Sequence, residues 1–416
     1  MMRTTFLIVL MGLLGQGSPS ADITLREYCQ SVSDYSYELQ QADAAERGAE
    51  ADMRRSRKDY LPLVVFDREL NLYFRDRSPE RQWGWLTRAD IMQPIYNGGA
   101  VRAEAKRAEL ALEVASNDVE ASALGVEYDA INAYWSLSRA DIYLKAMTDY
   151  YDIVRSLSEV VAHRFEEGYT SKSDLLQVNS RLIDAEYQLS AAEQSRLVAL
   201  HNFNLLRGAE PNEEVVLAES ILDTMYMPQR ENVEDITSRR PDYRSAALGV
   251  ESSFWGIRAA RAEFLPQINL GLYALMQPNT PHIKGSGTHF DFGAVLSFST
   301  PIFHFGERRQ AVLSARSRYE RSQYALDDLR DNISLEESNG WTNLQSTHAR
   351  VEAIRRNLDV ARENLDISTY SYHEGLATIL DVLQAQLSWL QIYTNAIAAQ
   401  YDYAMAIAAY LYITAN

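Results

Sequence analysis

Two short stretches of this 416-residue chain make the same kind of turn with the same internal spacing. Phe165, Gly168, Asp174 and Gln177 return 207 positions later, from 165 to 372, as Tyr372, Gly375, Asp381 and Gln384. In both, a glycine follows a long helical pattern and an acid stands near the start of the next one. A carboxylate there can cap the unpaired N–H groups of the first turn and meet the positive end of the helix dipole. It can also line a passage: repeated about a symmetry axis, such carboxylates form a ring that favours cations and disfavours anions, and their repulsion raises their pKa values. Both readings stay open at Asp174 and Asp381. Gly168 and Gly375 are read as supplying backbone geometry at the tips. The two turns are expected to form the narrow mouth of a long tube.

No other grouping of side chains points to chemistry. The seven histidines (His163, His201, His282, His289, His304, His348 and His373) offer no pair at zinc-motif spacing on one helix, so neither a metal nor a catalytic centre is expected. Gly285 and Gly287 fall in a hairpin loop and read as turn glycines rather than a phosphate cradle. With no nucleotide motif and no cofactor implied, any energy must come from a partner. The single cysteine, Cys29, follows Arg26, Glu27 and Tyr28 rather than the small apolar residues that precede a lipid-modified cysteine. It is expected to be a buried small side chain, without an N-terminal lipid anchor.

The chain carries 57 acidic and 40 basic residues, a formal charge of −17. That sign argues against nucleic acid or an anionic membrane surface as partner and suits a path for cations or neutral solutes. Residues 1–20 read as a secretory signal, with Arg3, the apolar run Phe6 to Leu14 and small residues from Gly15 to Ala21. That run is too short to span a bilayer, and no later stretch approaches the roughly 20 apolar residues of a membrane helix. Any membrane insertion must therefore use strands.

Behind the two turns stand elements that occur twice. A helical pattern from Ile23 to Tyr60 stops at Leu61 and Pro62. Alternation of apolar and polar residues then predicts a strand over 63–75, with Val64, Phe66, Leu70, Leu72 and Phe74 on one face and Arg68 interrupting it. A second strand, 83–93, is ended by Pro94, Gly98 and Gly99. From 100 to 163 nothing breaks a helical pattern; roughly 64 residues give about 95 Å. Leu144, Met147, Tyr151, Val154, Ser158 and Val161 mark a coiled-coil seam on it. A further helix follows from Lys172 to Arg207, and a short strand is expected at Val215 to Leu217. The second half replays this order. Pro241 and Asp242 open a helix that ends at Leu265 and Pro266. Strands over 267–277 and 290–300 follow, a long helix over 305–370 with a seam at Val351, Ile354, Leu358, Ala361 and Leu365, and a last helix after Gly375. The repeats are placed at 21–212 and 231–416, joined by a linker at 213–230.

The outward strand positions Val64, Phe66, Leu70, Leu72, Ile268, Leu270, Leu272, Phe292, Leu296 and Phe298 suit lipid, with polar residues behind them; a soluble sandwich edge is the alternative. Four strands cannot close a barrel, and an open sheet edge cannot sit in lipid. Three copies would give twelve strands and two would give eight; the long helices favour three.

The duplicated order of helix, Leu-Pro, strand hairpin, Pro-X-X-X-X-Gly, long helix, glycine turn and Asp-bearing helix start resembles the TolC family of outer-membrane efflux channels over essentially the whole mature chain. The resemblance implies a mainly α fold with a membrane β-barrel: a homotrimer in which a twelve-stranded barrel in outer-membrane lipid continues into a periplasmic α-helical barrel. It also implies an equatorial region at the chain midpoint and C-terminus, and docking to an inner-membrane transporter through a periplasmic adaptor protein. The expected function is a passive exit duct for drugs or small toxic solutes, not an enzyme. Type I protein secretion through the same architecture is the alternative, and a periplasmic coiled-coil adaptor or scaffold is the alternative of another class. By the resemblance, Asp381, Gln384 and Tyr372, supported by Asp174, line the periplasmic entrance, and the tips Gly168, Tyr169, Gly375 and Leu376 face the adaptor. The family's second acid is Gln384 here and its restraining arginine is Ala377, so weaker cation trapping and an altered latch are expected.

Overall fold

The computed structural model describes residues 22–72, 83–278, 287–303 and 305–416. The expected signal segment, the first hairpin's turn with the strand's predicted reach to 75, most of the 278–288 loop, and His282 and His304 lie outside the described residues. Among the described residues twelve elements follow one another: α1 (Leu25–Tyr35), α2 (Tyr37–Lys58), β1 (Leu63–Leu72), β2 (Trp83–Asn97), α3 (Ala100–Glu166), α4 (Lys172–Leu206), α5 (Val233–Arg239), α6 (Pro241–Ala262), β3 (Gln267–Pro278), β4 (Thr288–Ser299), α7 (Glu307–His373) and α8 (Ile379–Thr414). Among the described residues no helix is long and apolar enough to cross a membrane.

Several boundaries differ from the sequence expectation, each for a local reason. The first helical stretch is two helices: Ser36 leaves helical dihedrals and its N–H closes α1 on Val32 O. Ile23 is not helical but forms an isolated bridge with Leu217, which is all that remains of the expected short strand there. Cys29 is half-buried rather than buried. The inward position belongs to Tyr28, whose ring stacks on Phe203 at 3.8 Å and whose hydroxyl donates to Phe203 O. Burial pushes the Cys29 thiol up to about 11. Pro94 does not end β2, which runs on to Asn97 with a register shift between Pro94 and Tyr96. A bulge is where a strand tolerates a residue without an N–H.

The four strands form one antiparallel sheet in the order β1-β2-β3-β4. Cross-strand rows keep apolar residues on one face: Phe66, Ala89, Ala274 and Phe292 form one row, and Val64, Ile91, Leu272 and Ala294 the next. The opposite face carries Asp67, Arg88 and Asp90, with Arg88 paired to Asp90 at 2.6 Å. The hairpins also match each other in register. Val64 faces Ile91 as Ile268 faces Phe298, and Leu63 faces Met92 as Gln267 faces Ser299.

The chain divides into two compact units that cut across the repeats. One takes the chain up to Ser36, Gly125–Arg230 and Asn339–Tyr412; the other takes Tyr37–Leu124, Glu231–Ser338 and Ile413–Asn416. The first is helical. Its main core joins Met147, Tyr150 and Val154 of α3, Ala185 and Ala192 of α4, Ala361 and Leu365 of α7, and Trp389 and Leu390 of α8. Alanines on α4 and α8 let these helices approach closely while the larger residues fill the space between them. The seam is thus covered within the chain: Met147, Val154, Val161, Val351, Ala361 and Leu365 are buried, and Leu144 and Tyr151 half-buried. The second unit holds the sheet. There Arg240, beside Pro241 at the first turn of α6, bonds Asp242 and Glu336 at 2.6 Å each.

Candidate functional site

Both turns close by the same backbone arrangement. Gly168 takes φ 81° and Gly375 φ 74°, left-handed values that cost a glycine nothing. At the first, Tyr169 N–H donates to Arg164 O at 2.7 Å and Gly168 N–H to Phe165 O at 3.1 Å. At the second, Leu376 N–H donates to Ser371 O at 2.8 Å and Gly375 N–H to Tyr372 O at 3.1 Å. This paired closure satisfies carbonyls that the ends of α3 and α7 would leave bare. It also throws the next residue outward, so Tyr169 and Leu376 are 80% and 81% exposed.

The acids begin the following helices. Asp174 accepts from Ser171 N–H (3.2 Å) and from the Thr170 hydroxyl (2.9 Å), while its own N–H donates to Ser171 Oγ (3.1 Å). Asp381 accepts from Thr378 N–H at 2.8 Å and from the Thr378 hydroxyl at 2.6 Å, and its N–H donates back to Thr378 Oγ1 at 3.4 Å. Both are reciprocal helix-capping pairs of the kind α1 makes between Thr24 and Glu27. These hydrogen bonds, from the Thr378 hydroxyl first and then its N–H, hold the Asp381 carboxyl below its ordinary value; the Ser171 and Thr170 hydroxyls do the same for Asp174. Within one chain the shift therefore runs opposite to the one expected of a charge ring. The Asp381 carboxylate stays exposed, as does Gln384.

The structure brings the two turns together. Leu157 and Val161 of α3, Val178 of α4, Tyr372 of α7, and Ile379, Val382 and Leu383 of α8 share one small core. The Tyr372 ring is only 6% exposed within this core, whereas its counterpart Phe165 is 37% exposed. The asymmetry has a cause that the sequence reading missed. Arg164, in the last turn of α3, lays its guanidinium over the Tyr372 ring at 4.8 Å and donates to Tyr372 O (3.3 Å) and His373 O (3.0 Å). One side chain thus covers the ring and caps the end of the neighbouring helix α7, where cations are favoured. A basic residue in a last turn is visible in the sequence, but nothing there says that it serves another helix. Ala377, the position expected to lack the restraining arginine, donates its N–H to Ser371 O.

The strand positions fall as the alternation requires. Val64, Phe66, Leu70, Leu270, Leu272, Phe292, Leu296 and Phe298 are exposed apolar residues of the described sheet, and Ile268 is half-buried. Leu72 pairs with Trp83 at the end of β1, and its side chain lies outside the described residues. Among the described residues no group of three or more His, Cys, Asp or Glu could hold a metal ion.

Residues 30–209 and 232–411 each match the family model described as outer membrane efflux protein. Protein CyaE of Bordetella pertussis is 24% identical over 383 residues, covering 89% of this chain and 79% of CyaE. Alkaline protease secretion protein AprF of Pseudomonas aeruginosa is 26% identical over 252 residues, 58% of this chain and about half (51%) of AprF. Among solved structures, the outer membrane protein VceC from Vibrio cholerae superposes with a TM-score of 0.79 at 20% identity, covering 94% of this chain and 95% of VceC.

Proposed function

Because this chain belongs to the outer membrane efflux protein family, whose members are channel proteins of the Gram-negative outer membrane, we propose that three copies join their sheets into a twelve-stranded barrel continuous with a tube of the long helices. Small toxic solutes or drugs pass through it without energy input from this protein. One observation carries the reading: among the described residues a four-stranded sheet with an exposed apolar face ends in two unpaired edges, β1 and β4. An open edge is not tolerated in hydrocarbon, so lipid on that face requires further copies to pair the edges. β3 and β4, at 12 residues each, are long enough to cross a bilayer at a tilt.

In this reading Asp381 and Gln384 line the periplasmic entrance with Asp174 in support, and Tyr372 under Arg164 holds the hairpins of one copy together. Tyr169 and Leu376, beside Gly168 and Gly375, meet a periplasmic adaptor that links the duct to an inner-membrane transporter, the source of energy. Purified protein in planar bilayers is expected to give cation-preferring conductance blocked by divalent ions, and Asp381→Asn to reduce both properties. A protein that ran as a monomer after mild outer-membrane extraction and conducted nothing would sink the duct. The likeness to AprF supports a second reading, the outer-membrane channel of a type I protein secretion system. Deleting the gene separates the two: loss of drug tolerance marks efflux, and loss of an exported polypeptide marks secretion.

A further inference from the structure

We propose that β4 of one copy pairs antiparallel with β1 of the next in one defined register: Leu296 opposite Leu70, Phe298 opposite Arg68, and Ser299 opposite Asp67. This rests on the barrel reading above and adds the join that the reading leaves open.

The register follows from the way the sheet repeats itself. Moving β1 by 204 positions, from 64 to 268, and β2 by 207, from 91 to 298, turns every pair of the first hairpin into a pair of the second. Leu63 and Met92 become Gln267 and Ser299, and Leu72 and Trp83 become Met276 and Phe290. A ring of such hairpins contains two kinds of join, β2 with β3 inside a chain and β4 with β1 between chains. The inner join is observed: Ala89 faces Ala274, Ile91 faces Leu272 and Met92 faces Gly271. The same two displacements carry these pairs to Leu296 with Leu70, Phe298 with Arg68, and Ser299 with Asp67 of the next copy.

Two further observations agree with that transfer. Leu296, Phe298 and Leu70 are exposed on the apolar face, so the join keeps apolar rows continuous, whereas a slip of one residue would reverse the faces. Arg68 is the lone charge among the outward positions of β1, and a charge there is costly against lipid. The assigned register sets it beside the Phe298 ring, where a guanidinium is attracted to the aromatic face. Slips of two residues in either direction would set it beside Leu296 or Thr300 instead.

The join is also shorter than its template. Inside the chain, Gly98 approaches the end of α6 so closely that an added Cβ would lie 2.5 Å from Ala262 O. The residue displaced from Gly98 is Phe305, which carries a Cβ, takes φ 47° and is 91% exposed. Such an approach is closed to it, and β4 stops at Ser299 where β2 continues to Asn97.

The test is disulfide trapping of the full chain in outer membranes, in a Cys29→Ala background. Leu70→Cys combined with Leu296→Cys is expected to give covalent trimers on mild oxidation. Pairing Leu70→Cys with Phe298→Cys or Ala294→Cys, two residues out of register, is expected to give about fivefold less, since diagonal neighbours lie some 7–8 Å apart rather than about 5 Å. Asp67→Cys with Ser299→Cys repeats the measurement on the polar face, should the outward substitutions impair folding. Stronger trapping by an out-of-register pair would overturn the register while leaving the barrel standing. Absence of any covalent species from every pair would overturn the barrel and the register together.

Discussion

The Arg164 guanidinium reaches from the end of one long helix to the end of the other through three contacts. A cation on an aromatic face and two hydrogen bonds to carbonyls together stabilise such a site by about 1–2 kcal/mol. Arg164→Gln is therefore expected to speed amide hydrogen exchange at the ends of α3 and α7 roughly tenfold, while the middle of either helix is unchanged. A uniform rise along both helices would show that the residue acts on global stability instead. Asp381 is expected to act at the start of α8 as well as at the entrance. Its folded-state pKa is depressed, so its cap is fully formed above the ordinary carboxylate pKa and is lost as pH falls through the lower folded value. Protection of the α8 first-turn amides should decline with pH in the native protein and be nearly flat in Asp381→Asn. At Gly98, φ 65° and the contact with Ala262 O both oppose a side chain. Gly98→Ala should cost about 2–4 kcal/mol, whereas Gly99→Ala, with open space around it, should cost about 1 kcal/mol for the backbone alone. Comparing the two denaturation midpoints checks this.

The helices and strands were legible in proportion to how local their causes are. Alternation placed Val64, Phe66, Leu270 and Phe298 on one face, because side-chain direction in a strand follows residue number. The glycine turns were legible because Gly168 and Gly375 adopt a conformation that few other residues enter freely. Pro94 misled because proline forbids a hydrogen bond but not a bulge, and only the partner strand decides which occurs. Ser36 was missed because its break has no proline or glycine to mark it. The burial of Tyr372 was not legible for a longer-range reason: it depends on Arg164, distant in sequence and near only after two helical hairpins have packed. The acids were legible as helix starters from their place just after the glycine turns, whereas their partners Ser171 and Thr378 came only with the structure. What they do beyond capping needs neighbours that one chain does not supply.

At the scale of the whole molecule, the sheet has two edges that are not alike. β1 carries Arg68 and β4 carries Phe298, so in the proposed barrel a copy adds to another only head to tail, and the growing assembly is finished only when its first and last edges meet. A copy with one intact and one spoiled edge would still be accepted by its neighbours and would then leave the ring unable to close. Such a variant acts as a chain terminator rather than a bystander. With equal amounts of normal and edge-spoiled chains, for instance β4 carrying Leu296→Pro, only about one ring in eight would contain three sound copies. Solute tolerance in cells expressing both should fall far below the half expected from simple dilution, making an allele that damages one strand edge more harmful than an allele that yields no protein.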